Sequence, residues 1–381
     1  MKTFLRFCFC TGGKRENVSK HLYKSMKKII LVILILIFSL GAVFAQIVEP
    51  KPLTQAEYVK MLYDLPKNPN NKTALIETVR TRGISFELTD GLRGLTRTKG
   101  ANDAELLRTL EEANRRRLNP TVAKLPTAKE STEVLAKARE AALAALEDMP
   151  DFVVKQQIQR SAAFAGTNNF RNLDKLVVAV SYRAAGHEEY KILSVNGVVQ
   201  ENPVNKESYA ETGGTSSTGE FVTILATIFK PESETKFEVV DTDLIRGRRA
   251  VVYNFDVTKD KAKLRITAAG YVNETTIAGM KGKIWIDREN FRVLRVESEA
   301  TEIPESFPIR ATVSNIDYDW VTIGEEKYLL PLLSDVRLTS RENRQLFETR
   351  NLIRFKEYQK YGSEVKIGDD EEEIKEEKPN Q

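Results

Sequence analysis

The sequence predicts an α+β protein in which a small all-α module precedes a large antiparallel β-sheet with a covering amphipathic helix. Two patterns carry this prediction. Apolar residues recur at helical spacing in the first third of the chain, whereas from residue 152 onward they mostly alternate with a period of two. About ten predicted strands then follow one another without crossover helices, which excludes a doubly wound parallel sheet.

The segment Met26–Ala45 has the layout of a secretory signal peptide. Two lysines form its basic start, Ile29–Leu40 is its apolar stretch, and Val43–Ala45 supplies the residues that a signal peptidase needs. The apolar stretch is too short to span a bilayer well, which takes about 20 residues. We therefore expect cleavage before Gln46. The product would be a periplasmic or secreted protein, soluble after cleavage and without a stable membrane span.

Export changes what the charge and the cysteines mean. A segment of 25 residues before a signal peptide is uncommon, so we expect that the true start of translation is Met26. The whole chain has a net charge of +4, but its first 45 residues carry eight basic residues and one acidic residue, so the remainder stands at −3. Cys8 and Cys10, the only cysteines, also lie in this leader. The exported chain then offers no excess of basic charge for nucleic acid, no disulfide and no thiolate metal site.

Three or four short helices are expected in the region 46–118, each marked by its ends. Thr54 begins a capping box, and Asn102 is expected to cap the last of these helices. Gly83 and Gly100 are positioned to end the second and the third. Because their apolar stripes are narrow, these helices must pack on one another as a small bundle.

Residues 119–130 contain two prolines and are expected to form a linker. Ser131 is expected to cap the next helix, which runs to Asp148 and is followed by Pro150. This helix is rich in alanine and leucine, which are the strongest helix-forming residues.

From residue 152 onward the chain is expected to form strands. Asn196-Gly197 is typical of a two-residue hairpin turn, and residues 287–290 are expected to join another hairpin. The predicted strands are Phe152–Arg160, Leu176–Arg183, Tyr190–Val199, Lys236–Val240, Arg249–Val257, Leu264–Tyr271, Lys283–Asp287, Phe291–Ser298, Ile309–Val321, Leu332–Thr339 and Leu346–Tyr358.

One amphipathic helix interrupts this series of strands. A capping box of Ser217 and Glu220 is expected to begin it, and Pro231 ends it. Its apolar stripe is wide, with phenylalanine at both ends, so the helix is expected to cover the sheet. The residues expected to line the space between helix and sheet are Phe221, Ile224, Leu225, Ile228, Phe229, Val251, Tyr253, Phe255 and Trp285. That space is either ordinary core or a ligand cavity of roughly a few hundred cubic ångströms, and the sequence leaves both open.

The exported chain has few residues suited to catalysis. His187 is its only histidine and lies in an expected hairpin turn, which argues against histidine-based nucleophilic catalysis and histidine-rich metal sites. Gly213-Gly214 could cradle an anion at a helix N-terminus, although a loop followed by a cap explains them as well. Five acidic residues could supply a glycosidase-like pair, but alternating charge is typical of the exposed face of a strand. They are Asp287, Glu289, Asp317, Asp319 and Asp335. We expect no enzyme activity, no catalytic residue, no metal and no cofactor.

The hairpin from Gly282 to Glu297 resembles a motif of the outer-membrane lipoprotein-sorting protein superfamily, which includes periplasmic lipoprotein carriers and sigma-factor regulatory sensor domains. The resemblance lies in Gly-Lys-Ile-Trp-Ile-Asp at 282–287 and Phe-Arg-Val-Leu-Arg-Val-Glu at 291–297. It extends over about residues 133–367. It implies a curved sheet, or half-barrel, whose concave face is closed by helices over a hydrophobic cavity for acyl chains. The pattern from Val79 to Thr89 resembles a short helical module of exported proteins from acidobacteria and their relatives, and it implies no activity.

Together these features predict an exported, non-enzymatic protein that holds an apolar ligand, a lipid or an acylated protein, between a curved sheet and a helix. The alternative is a periplasmic interaction scaffold that binds an envelope protein through the helical module and holds no small molecule. The expected partners are thus a lipid or lipoprotein or an envelope protein, and no nucleic acid. The expected divisions are a leader at 1–45, the helical module at 46–118, the linker at 119–130, the half-barrel domain at 131–367 and an acidic disordered tail at 368–381.

Overall fold

The computed structural model describes residues 51–167, 169–183, 187–209, 215–216, 219–268, 274–342 and 345–362. The predicted leader and acidic tail lie outside these residues, as do Gly186, Gly213-Gly214, Ser217 and Tyr271. Over the ranges described, no helix is long and apolar enough to cross a membrane.

Four helices at the start of the described chain pack around one apolar core, which includes Leu53, Tyr58 and Leu106. We call this bundle the helical module. Its helices are α1 (Gln55–Asp64), α2 (Asn71–Arg82), α3 (Asp90–Lys99) and α4 (Ala104–Leu118). The predicted capping box at Thr54 is present, and Gly83 and Gly100 follow α2 and α3 as predicted.

Two predicted helix caps are wrong by a few residues. Asn102 has a positive φ, and Asp103 caps α4 because its carboxylate accepts a hydrogen bond from the N–H group three residues on. The alanine-rich helix α5 (Ala128–Glu147) is capped by Thr127 in the same way, and Ser131 is buried inside it. The helix therefore begins within the segment that the sequence assigned to a linker.

The rest of the described chain forms an antiparallel sheet of thirteen strands. The main path is β4-β3-β2-β1-β13-β12-β11-β10-β9-β7-β6, with β5 beside β3 and β8 beside β9. The strands are β1 (Phe152–Phe164), β2 (Arg171–Arg183), β3 (His187–Val195), β4 (Val198–Val199), β5 (Asn205–Lys206), β6 (Lys236–Ile245), β7 (Arg248–Val257), β8 (Leu264–Ala268), β9 (Glu274–Asp287), β10 (Val293–Thr301), β11 (Ile309–Ile323), β12 (Glu326–Glu342) and β13 (Gln345–Lys360). Several strands are longer than predicted from the alternation of apolar residues. The backbone hydrogen bonds between neighbouring strands continue into segments whose side chains are polar on both faces of the sheet.

The sheet is open, and the predicted α+β half-barrel is confirmed. One face packs against α5 and against the short helix α6 (Thr223–Phe229). The hydroxyl of Tyr253 in β7 donates to the carbonyl of Ser131 in α5 at 2.8 Å. We call this the covered face and the opposite one the outer face. A further short helix, α7 (Lys259–Ala262), lies between β7 and β8.

The helix α6 is shorter than the sequence predicts. It begins at Thr223, and Val222 before it provides no side-chain cap. Glu220 and Phe221 belong to the turn that precedes the helix. The predicted cap Ser217 lies outside the described residues. The cover over the sheet is therefore a single helix of seven residues together with α5.

Candidate functional site: the covered face of the sheet

Eight of the nine predicted lining residues lie where the covering segments meet the covered face. Phe221 packs edge-on against Phe152 of β1 and Phe355 of β13, with ring centroids 5.2 and 5.5 Å away. Ile224 is half-buried and packs against the core beneath α5 and α6. The remaining six are buried in that core, namely Leu225, Ile228, Phe229, Val251, Tyr253 and Phe255.

Trp285 does not share this face. Val251 and Tyr253 of β7 pair with Ile286 and Ile284 of β9, whereas Trp285 pairs with Val252 between them. Because directly paired residues share a face, Trp285 belongs to the outer face. There it packs in a small apolar cluster with Val252. The expectation that Trp285 lies beneath the helix is therefore corrected.

Two cavities of the described chain are lined by residues outside the predicted α6 stripe. The larger cavity, about 450 Å³, is lined mainly by charged residues of β6, β7, β9 and β10, although Phe255 also borders it. The smaller, about 20 Å³, lies between the helical module and the outer face and is bordered by Trp285. Beneath α6, the side chains of Leu225, Ile228 and Phe229 pack in the buried core.

Polar side chains are also buried on the covered face, among them a glutamine and a serine. Gln156 of β1 pairs with Phe355, and Ser334 of β12 pairs with Ile353 and Ile316. Both are fully buried, at 0% exposure. Within the described residues, neither the amide of Gln156 nor the hydroxyl of Ser334 has a hydrogen-bond partner. Such a buried group costs about 1–3 kcal/mol unless water or a ligand satisfies it.

Tyrosine hydroxyls add further polarity to the interior. Tyr358 donates to the carbonyl of Pro331 at 2.7 Å, and Tyr253 donates to α5 as described above. Burial raises the pKa of Tyr253 to about 12, and it raises the pKa of Tyr318 and of Tyr358 well above the ordinary value. These hydroxyls therefore stay protonated at neutral pH and carry no charge.

The outer face is held to the helical module by a network of ion pairs. Glu112 of α4 is almost fully buried and accepts hydrogen bonds from Arg249 of β7 and from Arg115, both at 2.6 Å. Arg115 also pairs with Asp243 of β6 at 2.8 Å, and Arg116 pairs with Asp241 at 2.8 Å. We call this set the docking network.

Trp285 lies at the centre of this docking network. Its indole N–H donates to Asp243 at 3.0 Å. The guanidinium groups of Arg108 and Arg295 lie 5.2 and 5.9 Å from its ring centroids, within the range of cation–π attraction. Burial raises the pKa of Asp243 even though Arg115 and Arg108 oppose it.

The sequence did contain a signal for the docking network. Arg108, Glu112, Arg115 and Arg116 stand at i, i+4, i+7 and i+8, which is one face of a helix. Charges on one face are usually read as exposed to solvent, and here that face meets the sheet instead. Gln156 and Ser334 gave no such signal, because a single polar residue in a strand is ordinary.

Four of the five acidic residues considered for catalysis pair with arginines, namely Asp287, Asp317, Asp319 and Asp335. Asp317 accepts two hydrogen bonds from Arg295, at 2.6 and 2.8 Å. Asp335 pairs with Arg350 at 2.9 Å, and the remaining charged contacts join Asp287 to Arg248 and Asp319 to Arg246. In the part of the chain that the structure describes, no group of three or more His, Cys, Asp or Glu residues could hold a metal ion.

No protein-family model matches the sequence. No curated protein matches it either. Among solved structures, the chain is similar to a DUF1329 family protein from Desulfovibrio piger (7% identity, TM-score 0.28), which covers 61% of this chain and is itself covered to 95%. It is also similar to a domain assigned to outer membrane lipoprotein sorting from Vibrio parahaemolyticus (11% identity, TM-score 0.27; 61% and 94% covered). A third is a chain of the MucA/MucB complex of Pseudomonas aeruginosa (10% identity, TM-score 0.17; 60% and 94% covered).

Proposed function

We propose that this chain is an exported, non-enzymatic binding protein whose ligand site is the covered face, with α6 as a displaceable cover. The ligand is an apolar chain, as in a lipid or an acylated protein. The observation that carries the proposal is the pair Gln156 and Ser334, which are fully buried on this face without a hydrogen-bond partner among the described residues. A face that serves only as core gains nothing from such groups, whereas a ligand with a hydrogen-bonding group would satisfy them.

The cover is small enough for a ligand to replace it. The segment that leads into α6, together with α6, buries the side chains of Phe221, Leu225, Ile228 and Phe229. Burying four such side chains stabilises the closed state by on the order of 8 kcal/mol. An acyl chain gains about 0.8 kcal/mol per buried methylene, so a chain of about ten or more methylenes matches the cover. Phospholipid and lipoprotein acyl chains satisfy this requirement.

The α6 helix also has few local interactions of its own. It has seven residues and no side-chain hydrogen bond at its N-terminus. Isolated helices shorter than about 12 residues are marginal in water, so α6 depends on packing against α5 and the sheet. A ligand that competes for this packing can therefore displace the helix.

The test uses protein recovered from the envelope of the expressing cells. Native mass spectrometry identifies any lipid that remains bound, and displacement of a fluorescent fatty acid measures affinity. Ile228→Ala should weaken the closed state by about 2 kcal/mol and raise the apparent affinity for the fatty acid about 30-fold. Leu75→Ala truncates a fully buried residue in the core of the helical module and should leave this affinity unchanged.

The direction of the Ile228→Ala effect separates the two interpretations of the covered face. If the covered face is only core, Ile228→Ala lowers stability and creates no affinity for the fatty acid. A protein that carries no lipid, together with an Ile228→Ala variant that binds no fatty acid, would refute the proposal.

The second candidate function is an interaction scaffold. It is favoured by three exposed apolar side chains, Leu118 at the end of α4 and Val122 and Leu125 in the segment that leads to α5. Contiguous exposed apolar residues are typical of protein interaction sites. Replacement of Leu118 and Val122 by serine should abolish crosslinking to an envelope protein that wild type captures, whereas Tyr63→Ser, at an exposed residue of α1, should not.

A further inference from the structure

A second feature of the fold lies at the far end of the central strands, beyond α5 and α6. Phe164 at the end of β1, Leu173 near the start of β2 and Leu346 near the start of β13 are 56%, 58% and 42% exposed. We call the ends of the β1–β2 and β12–β13 hairpins the tip. Large apolar side chains are normally scattered singly over a surface, so three of them at one end call for a partner.

The residues of the tip are held together by the sheet. The rings of Phe164 and Phe347 are tilted by 34° to each other with centroids 5.0 Å apart, and these two residues are paired across β1 and β13. The N–H of Ala165 donates to the carbonyl of Leu346 at 2.9 Å. Leu173 is the additional residue of a β-bulge opposite Arg160 and Ser161, which turns its side chain out of the regular alternation. The apolar groups thus project from a rigid framework.

The charge of the tip is positive. Arg171 pairs with Ala162 near the end of β1, and Arg341 pairs with Leu346. Both arginine side chains are exposed, and neither makes an ion pair with another described residue. The carboxylate of Glu348, the acidic residue of β13 closest to the tip, is half-buried and 3.6 Å from Arg337. By sequence, the two hairpin ends contain Arg171, Arg341 and Arg344 against Glu342, so the formal charge of the tip is +2.

We propose that the tip docks on the surface of a membrane leaflet that contains anionic lipid. Exposed aromatic and aliphatic side chains enter the boundary between headgroups and acyl chains, and arginines beside them contact the lipid phosphates. Self-association through the same patch would bring the unpaired arginines of two copies together, which like-charge repulsion opposes. This inference does not depend on the proposed ligand site, because the tip lies outside the cover.

The first experiment measures co-sedimentation of the protein with vesicles of phosphatidylcholine, with and without phosphatidylglycerol. Phe164→Ser should weaken binding to the anionic vesicles about tenfold, since it removes a large apolar group. Tyr63→Ser removes an aromatic side chain of similar exposure, 52%, on α1 and serves as the control. Arg341→Gln should weaken binding about fivefold, and Arg265→Gln, at an exposed arginine of β8, should not.

A second experiment reports position directly. Phe164→Trp should give tryptophan fluorescence that bromine-labelled lipid quenches, beyond the background of Trp285 and Trp320 in wild type. Tyr63→Trp should show no added quenching. This comparison holds even if another segment of the chain also contacts the membrane.

Three outcomes would overturn the proposal. Equal binding of wild type and Phe164→Ser would show that the tip does not contribute. Absence of added quenching for Phe164→Trp would place it outside the lipid. A dimer of wild type that Phe164→Ser dissociates in sedimentation velocity, without vesicle binding, would assign the tip to a second copy of this chain.

Discussion

The strongest test of the docking network is the substitution Glu112→Gln. The carboxylate of Glu112 is only 1% exposed and accepts hydrogen bonds from Arg249, Arg115 and the hydroxyl of Thr242. Glutamine keeps the shape of the side chain but removes its charge. The guanidinium group of Arg249 then loses the carboxylate with which it pairs, and that of Arg115 keeps only Asp243 as a partner among the described residues.

The expected loss is about 3 kcal/mol of unfolding free energy, the lower end of the range for breaking a buried ion pair. Glu111→Gln is the matched control, because it changes the same charge on the neighbouring residue of α4. Glu111 pairs with Arg93 within the module at 2.6 Å and does not take part in the docking network. Its partly exposed pair should contribute about 1 kcal/mol or less.

Urea unfolding followed by tryptophan fluorescence measures both variants, since Trp285 lies inside the docking network. Hydrogen exchange of the α4 amides reports whether the module separates from the sheet before the rest unfolds. Replacing Glu112 and Arg249 together by methionine should recover part of the loss, because the charge of Arg249 is then removed along with its partner, while Arg115 still pairs with Asp243. Equal losses for Glu112→Gln and Glu111→Gln would refute the view that this network holds the module on the sheet.

Three further predictions concern the same framework. Burial raises the pKa of Glu112, but Arg249 and Arg115 outweigh burial and hold the pKa below its ordinary value of 4.5. The ionised carboxylate therefore contributes its full stabilisation above pH 4.5, and this contribution is lost as the pH falls through the pKa of the folded state. Urea titrations at several pH values should show that wild type loses more stability in acid than Glu112→Gln does. Gly282→Ala should reduce the yield of folded protein, because an added Cβ would collide with the main-chain carbonyl oxygen of Glu297; normal yield and an unchanged melting temperature would contradict this. Thr127→Ala should lower the free energy of unfolding by about 1 kcal/mol and Ser131→Ala by much less, because Thr127 caps α5. Thermal unfolding measures both variants, and a larger loss for Ser131→Ala would contradict this prediction.

Local signals in the sequence predicted the helices and turns well wherever a single residue caps the nearby backbone or adopts the backbone angles that a turn requires. Thr54 with its capping box, Gly83 after α2 and the Asn196-Gly197 turn are such cases, and each is present in the structure. The errors at Asn102 and Ser131 arose because several residues in a row could serve as caps. The choice among them depends on backbone angles that packing fixes.

The covered face was only partly predictable. Alternation in β7 placed Val251, Tyr253 and Phe255 on one face, but the face of Trp285 depends on how β9 is paired with β7. A shift by one residue reverses every side chain of a strand, and the sequence of β9, apolar on both faces here, does not fix that register. The unpaired polar atoms of Gln156 and Ser334 likewise become visible only once neighbouring strands surround them.

The sequence by itself determined the class of this protein, namely a helical module followed by an antiparallel sheet with an amphipathic cover, because helix caps, turns and apolar periodicity act over a few residues. The tertiary structure alone decided that the module docks on the outer face through buried charges, that the space beneath α6 is packed, and that apolar and basic residues meet at the tip. These features join residues far apart in the chain, such as Glu112 and Arg249 or Phe164 and Phe347. Strand register and ion pairing bring such residues together, and a pattern of a few neighbouring residues in the sequence predicts neither of them.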